Sequence, residues 1–182
     1  PAPRPAAAPG TPLRIGFIGG MSAHKGLGLL QSAVSAEVLP NIELVVVDHR
    51  HGPDFRRESL WGGSRVTYVG KTPQDRVADL FATFDVLAAP SIWPESFGLV
   101  AREARLLGVP VIAGNRGDMG RGIVPGRDGW IVDVADDREL RELLRGFDAD
   151  PDSARVTPAA PETVTVAQAV QALMAMIDEA AR

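Results

Sequence analysis

Residues 13–20 read LRIGFIGG, an apolar run broken only by Arg14 and stopped by paired glycines. That composition suits a strand buried on both faces, because a one-sided strand would alternate apolar and polar residues. The same form recurs at 42–48 (IELVVVD), 65–69 (RVTYV), 85–90 (DVLAAP), 109–113 (VPVIA) and 129–132 (GWIV). Between these runs the apolar residues fall at helical spacing. In 25–38 they are Leu29, Leu30, Ala33, Val34 and Val38, ending before Pro40. Further helices are predicted over 72–81, 98–107, 137–146 and 166–181, the last with a capping box at Thr165 and Gln168. Short strands alternating with longer helices mean βαβ units and a parallel sheet covered on both faces. The predicted fold class is therefore α/β, a doubly wound, Rossmann-like parallel sheet in the strand order 3-2-1-4-5-6. In that order the first and fourth strands are neighbours whose connections diverge, and ligands bind at their carboxyl ends. The loops after Gly19 and after Pro90 are the places to look.

Composition narrows the function classes. The chain has 182 residues, 45% hydrophobic and 23% charged, which fits one packed domain and excludes a wholly disordered chain. No apolar run approaches the ~20 residues of a membrane-spanning helix. A net charge of -4 argues against nucleic acid as partner, since a phosphate backbone rewards a basic face. With no cysteine, disulfides, thiolate metal sites and cysteine nucleophiles are excluded. Residues 1–12 are mostly proline and alanine and read as an extended interdomain linker, not a secretory signal. Residues 13–182 form the predicted domain.

Both loops carry chemistry. The first runs Gly19-Gly20-Met21-Ser22-Ala23-His24-Lys25-Gly26. Glycines let backbone amides approach an anion, and Lys25 adds a full charge beside a positive helix end. It is neither a Walker loop nor a dinucleotide fingerprint, because the spacing fits neither. The second is Ser91-Ile92-Trp93-Pro94-Glu95-Ser96-Phe97-Gly98-Leu99, leading to Glu103. Gly98 is placed in the first helical turn, where backbone N–H groups have no intrahelical partner. Glu103 lies roughly 7 to 9 Å further along the axis, which suits a carboxylate accepting bonds from a ribose.

With these residues in view, the chain resembles the retaining glycosyltransferases of the two-Rossmann-domain GT-B class. Within that class it is similar to the family 4-like group, group 1, that includes sucrose and glycogen synthases. Glu95 and Glu103 have its Glu, seven residues, Glu spacing, and PSIWPESFGLVAREARLLGVPVIAG looks like its sugar-nucleotide segment. The resemblance covers most of 13–134 and only the C-terminal, donor-binding half of such an enzyme. It implies a nucleotide sugar (UDP-, GDP- or ADP-linked) as partner and hexosyl transfer with retention. The acceptor, a glycan, lipid or small molecule, would bind through an N-terminal domain, so this chain alone would not transfer sugar. It further implies a cytoplasmic location, with membrane contact through that other domain, and no cofactor.

Roles carry over by position. Lys25 would neutralise the diphosphate while Gly19 and Gly20 let the loop close on it. Phe97, Gly98 and Leu99 would present a helix end to the distal phosphate or sugar. Glu95 would bind sugar hydroxyls, Glu103 the ribose, and Val69 and Lys71 would lie near the base. Lys25 and Glu95 are the expected catalytic residues, with charge stabilisation of the leaving diphosphate in place of a metal. No Asp-x-Asp motif is expected, in agreement with metal independence. One departure is Gly20, where the family often has arginine. Either His24, Arg116 or Arg121 compensates, or donor binding is weaker.

Other features read as structural. Asp48, His49 and His51 suggest a metal less than a solvated turn. Arg116-Gly117-Asp118 suggests coincidence, and the resemblance places its loop over the donor sugar. Trp61, Trp93 and Trp130 suggest core or interface, and Met174 and Met176 core packing. Two alternatives stand beside the transferase: a sugar-nucleotide epimerase of the same architecture and a non-catalytic α/β nucleotide-binding or regulatory module.

Overall fold

The computed structural model describes residue 8, residues 10–159, and residues 171 and 174. The predicted linker and the last predicted helix with its capping box therefore fall largely outside the described residues. The elements are β1 (Leu13–Phe17), α1 (Leu27–Ser35), β2 (Ile42–Asp48), β3 (Arg56–Trp61), β4 (Ser64–Gly70), α2 (Val77–Phe81), β5 (Val86–Ala89), α3 (Leu99–Leu106), β6 (Val111–Gly114), β7 (Gly129–Val132) and α4 (Arg138–Ala149). They build one sheet in the order β3-β4-β2-β1-β5-β6-β7. Every pairing is parallel except β3 with β4. Without β3, this is the predicted order of the six apolar runs.

The seventh strand was not predicted, and its sequence shows why. RRESLW is exposed along most of its length, so it has no apolar run to mark it. It forms because Gly62 and Gly63 make a two-residue turn, pairing Trp61 with Ser64 and Arg56 with Val69. Its charged residues suit an unpaired outer edge, where they discourage pairing with another chain.

The continuous apolar strands fill two cores, one on each face. Ile15, Phe17, Leu44 and Val46 pack with Leu30 and Val34 of α1 and Leu140, Leu144 and Phe147 of α4. Val45, Leu87, Val111 and Ala113 pack on the other side with Phe81, Phe84, Ala101 and Ala104. The aromatic side chains divide between the two places expected for them, core and surface, whereas Met174 departs from its expected core position. Trp61 and Trp130 do pack, against Tyr68 and Phe147, but Trp93 stands 62% exposed and Met174 55% exposed. Trp93 belongs to the loop at the carboxyl end of β5.

Candidate functional site

The pairing of β1 with both β2 and β5 opens a crevice at their carboxyl ends, since the two connections leave in opposite directions. The β1 and β5 loops close its floor together. The His24 carbonyl accepts bonds from the Ile92 N–H at 3.0 Å, the Trp93 N–H at 3.3 Å and the Ser91 hydroxyl at 3.0 Å. Gly26 makes this approach possible. It has φ +85° and caps the single turn at Ala23–Lys25, and a Cβ there would lie 1.9 Å from the Pro90 carbonyl oxygen.

A cleft of about 370 Å³ lies over that floor, and most of the predicted site residues line it: Gly19, Lys25, Glu95, Phe97, Gly98 and Leu99. Lys25 and Glu95, assigned by sequence to different parts of a ligand, are bound to each other. Lys25 Nζ donates to Glu95 Oε1 at 2.5 Å, and the Ser91 hydroxyl, 3.2 Å from the same oxygen, can turn its one proton to it in place of the His24 carbonyl. The Lys25 ammonium holds the Glu95 carboxyl below its ordinary range against the opposing effect of burial, helped by Ser91 and the charge of His24. The ion pair places both charges on the lining of the cleft.

The helix end forms by a different device from the expected one. Gly98 is the N-cap of α3, one residue outside the helix, with φ +61° and no side-chain cap. The first intrahelical bonds come from the Ala101 and Arg102 N–H groups to the Gly98 carbonyl. The preceding N–H groups at Leu99 and Val100 begin the helix beside the cleft, with the positive end of its dipole.

The loop over the cleft is fastened to the same segment. The Asp118 N–H donates to the Glu95 carbonyl at 2.7 Å, and Glu95 pairs with Gly117 as an isolated bridge. Arg102 completes the clasp: Nη2 donates to Asp118 at 2.6 Å, Nε donates to the Phe97 carbonyl at 2.8 Å, and the guanidinium lies 4.3 Å from the Phe97 ring centre. The sequence singled out Asp118 only within the Arg-Gly-Asp triplet and Arg102 not at all, because the pairing of a helix arginine with a loop aspartate carries no signal until folding joins them. Asp118 of the Arg-Gly-Asp triplet is thus held by Arg102 and Arg121, and its carboxyl is pulled below its ordinary range by those partners.

A second cavity of about 200 Å³ holds Lys71 and Glu103 together with Ile18, His49, Thr72 and Gln74. Ile18 also lines the first cleft, so the two adjoin across β1. Val69 is not among its lining residues. It faces a neighbouring groove with Pro53 and Asp54 that shares Thr72 and Leu80 with this cavity. Gly20 lies buried at the turn, with the His49 ring as its neighbour.

Of the candidate compensating cations, Arg121 is paired with Asp118, and Arg116 acts on Asp133. His24 makes a 3.0 Å bond with Ser22. Asp48 is occupied by Arg50, through Nε at 2.9 Å and Nη2 at 2.7 Å, which lowers its pKa to about 2. Among the described residues no group of three or more His, Asp or Glu could hold a metal ion. Asp-x-Asp triplets do occur, at 148–150 and 150–152, but beyond the site. There Asp148 accepts the Asn41 N–H at the amino end of β2, the end of the sheet opposite the crevice. No helix among the described residues is long and apolar enough to cross a membrane.

Known proteins share both the fold and the sequence. Curated relatives include the D-inositol 3-phosphate glycosyltransferase of Rhodococcus opacus, 39% identical over 93 residues, covering 51% of this chain and 21% of that protein. The enzyme of the same name from Corynebacterium jeikeium is 33% identical over 159 residues, covering 79% of this chain and 38% of that protein. The chain thus spans well under half the length of these relatives. Among solved structures, sucrose-phosphate synthase from Thermosynechococcus elongatus superposes with TM-score 0.65 at 27% identity, over 82% of this chain and 39% of the other. Anabaena HepE, solved with UDP and glucose, gives TM-score 0.67 at 20% identity over 93% of this chain and 49% of the other. Both superpositions place the sheet within the GT-B architecture. The family model for glycosyl transferases group 1 matches residues 2–160, and the chain belongs to that family.

Proposed function

We propose that this chain is the donor-binding part of a retaining hexosyltransferase and holds a nucleotide sugar across its two adjoining cavities. The observation that carries the reading is the Lys25–Glu95 pair on the floor of the crevice, a cation and a carboxylate side by side at the switch point of the sheet. Diphosphate would bind at Lys25, between the Gly19–Gly20 loop and the start of α3. The sugar would extend toward Glu95, and the ribose and base toward Glu103 and Lys71. As the glycosidic bond breaks, negative charge grows on the leaving diphosphate, and Lys25 and the helix end stabilise it in place. An acceptor hydroxyl attacking the anomeric carbon from the face of the departing diphosphate, and passing its proton to a phosphate oxygen as the carbon–oxygen bond to the diphosphate breaks, gives retention without an enzyme nucleophile. The acceptor would bind to a further domain, and this chain by itself would not transfer sugar. Residues 1–12 would link the two. A cytoplasmic location, with membrane contact through that domain, belongs to the same proposal.

HepE and UDP-glucose make the uridine nucleotide the first probe, with GDP and ADP sugars beside it. The family match is to transferases, which favours this reading over an epimerase or a regulatory module. Calorimetric titration of the 182-residue chain with the three diphosphate sugars, with and without chelator, is the test. Binding of one of them, unchanged by the chelator, is the expected result. No binding to any, or binding abolished by the chelator, refutes it.

A further inference from the structure

His49 lines the second cavity, on the side of the glycine loop. It is the first residue beyond β2, the immediate neighbour of β1, so it leaves the sheet about 4.8 Å from the strand that carries the glycine loop. A Cβ built at Gly20 has the His49 ring as its nearest neighbour, with Cγ at 3.9 Å. The same ring lines the cavity that holds Ile18, Lys71 and Glu103, and Ile18 continues into the cleft of Lys25 and Glu95. A ligand lying across both cavities passes this point where its phosphates join its ribose.

The charges nearby leave work for a further donor. A diphosphate carries several negative charges, while Lys25 is already engaged by Glu95 at 2.5 Å. Lys71 follows β4, two strands from β1 in the sheet, on the far side of the cavity. The turn that carries His49 is fixed at its base. Asp48 accepts the Arg50 N–H at 3.1 Å and grips the Arg50 guanidinium, and the His51 N–H bonds to the Asp48 carbonyl at 3.1 Å. The Asp48 carboxylate is thereby committed to Arg50, leaving the exposed imidazole of His49 as an N–H donor beside the glycine loop.

We propose that His49 is a diphosphate ligand, donating a hydrogen bond to a phosphate oxygen beside the glycine loop. This inference rests on the nucleotide-sugar reading above. The test is calorimetric titration of the full chain and of His49→Ala, His49→Gln and His49→Arg with UDP and with uridine, melting midpoints being recorded for each. His49→Ala should weaken UDP roughly tenfold and leave uridine within twofold, because only the phosphate contact is lost. His49→Gln, which keeps an N–H donor, should recover most of the loss, and His49→Arg should bind UDP at least as tightly as the unaltered chain. UDP affinity within twofold in His49→Ala overturns the proposal, as does equal weakening of UDP and uridine, which would make His49 a wall of the base pocket. Failure of the unaltered chain to bind any nucleotide overturns the donor reading itself, and this proposal with it.

Discussion

Replacing Glu95 by glutamine should move two ligands in opposite directions. The Glu95 carboxylate, 18% exposed, holds the Lys25 ammonium, 34% exposed, at 2.5 Å. A free diphosphate must take Lys25 from that carboxylate while lying close to its negative charge. Partly exposed ion pairs contribute up to about 1 kcal/mol, so removing the carboxylate frees Lys25 and tightens UDP by about fivefold. A UDP sugar gains the same release but loses the bonds its hydroxyls would make to a charged acceptor, roughly 1.5 to 3 kcal/mol. The net loss is roughly 0.5 to 2 kcal/mol, so the UDP sugar weakens by about two- to thirtyfold. Glutamine keeps the shape of the side chain and an oxygen for the Ser91 hydroxyl, which limits repacking. The assay is a set of four isothermal titrations, Glu95→Gln and the unaltered chain against UDP and UDP-glucose. Equal weakening of both ligands would refute the assignment of Glu95 to the sugar. No change in either would show that the pair is structural only.

Lys25→Ala should weaken UDP by about tenfold to a hundredfold in calorimetry, with or without chelator, because a charged bond to phosphate is lost and Glu95 is left unpaired. Gly26→Ala forces a side chain into φ +85° and a Cβ to 1.9 Å from the Pro90 oxygen. Its melting midpoint should fall by roughly 5 to 15 °C, whereas Gly28→Ala, which meets nothing within 4 Å, should not lower it. Asp48 has its pKa lowered from 3.8 to about 2 by its bond to Arg50. A depressed carboxylate contributes stability that is present above its unfolded pKa and lost as pH falls through the folded one. Denaturant unfolding between pH 5 and pH 2 should therefore show a loss setting in near pH 4, and Asp48→Asn should flatten that slope.

The sheet was legible because its strands are buried on both faces. Runs such as IELVVVD have no solvent side to interrupt them, and the order of the six strands is the common one for a doubly wound sheet built from such runs. The crevice, the glycine loop and the acidic residues around α3 were legible for the same reason, since they follow the strands that adjoin at the switch point. β3 was not, because an edge strand exposed on most of its length has no apolar pattern and exists only through its ladder to β4.

The sequence by itself thus determined the α/β class, the place of the crevice at the carboxyl ends of β1 and β5 and the residue types that line it. Tertiary structure decided which of those residues meet. The sequence separation of Lys25 and Glu95 is 70 residues, and that of Arg102 and Asp118 is 16. His49 reaches Gly20 only because β2 lies beside β1. Backbone pattern is local and repeats with a period that a linear chain displays. A charge pair is set by side-chain directions across packed loops, and that information first exists when the sheet has closed.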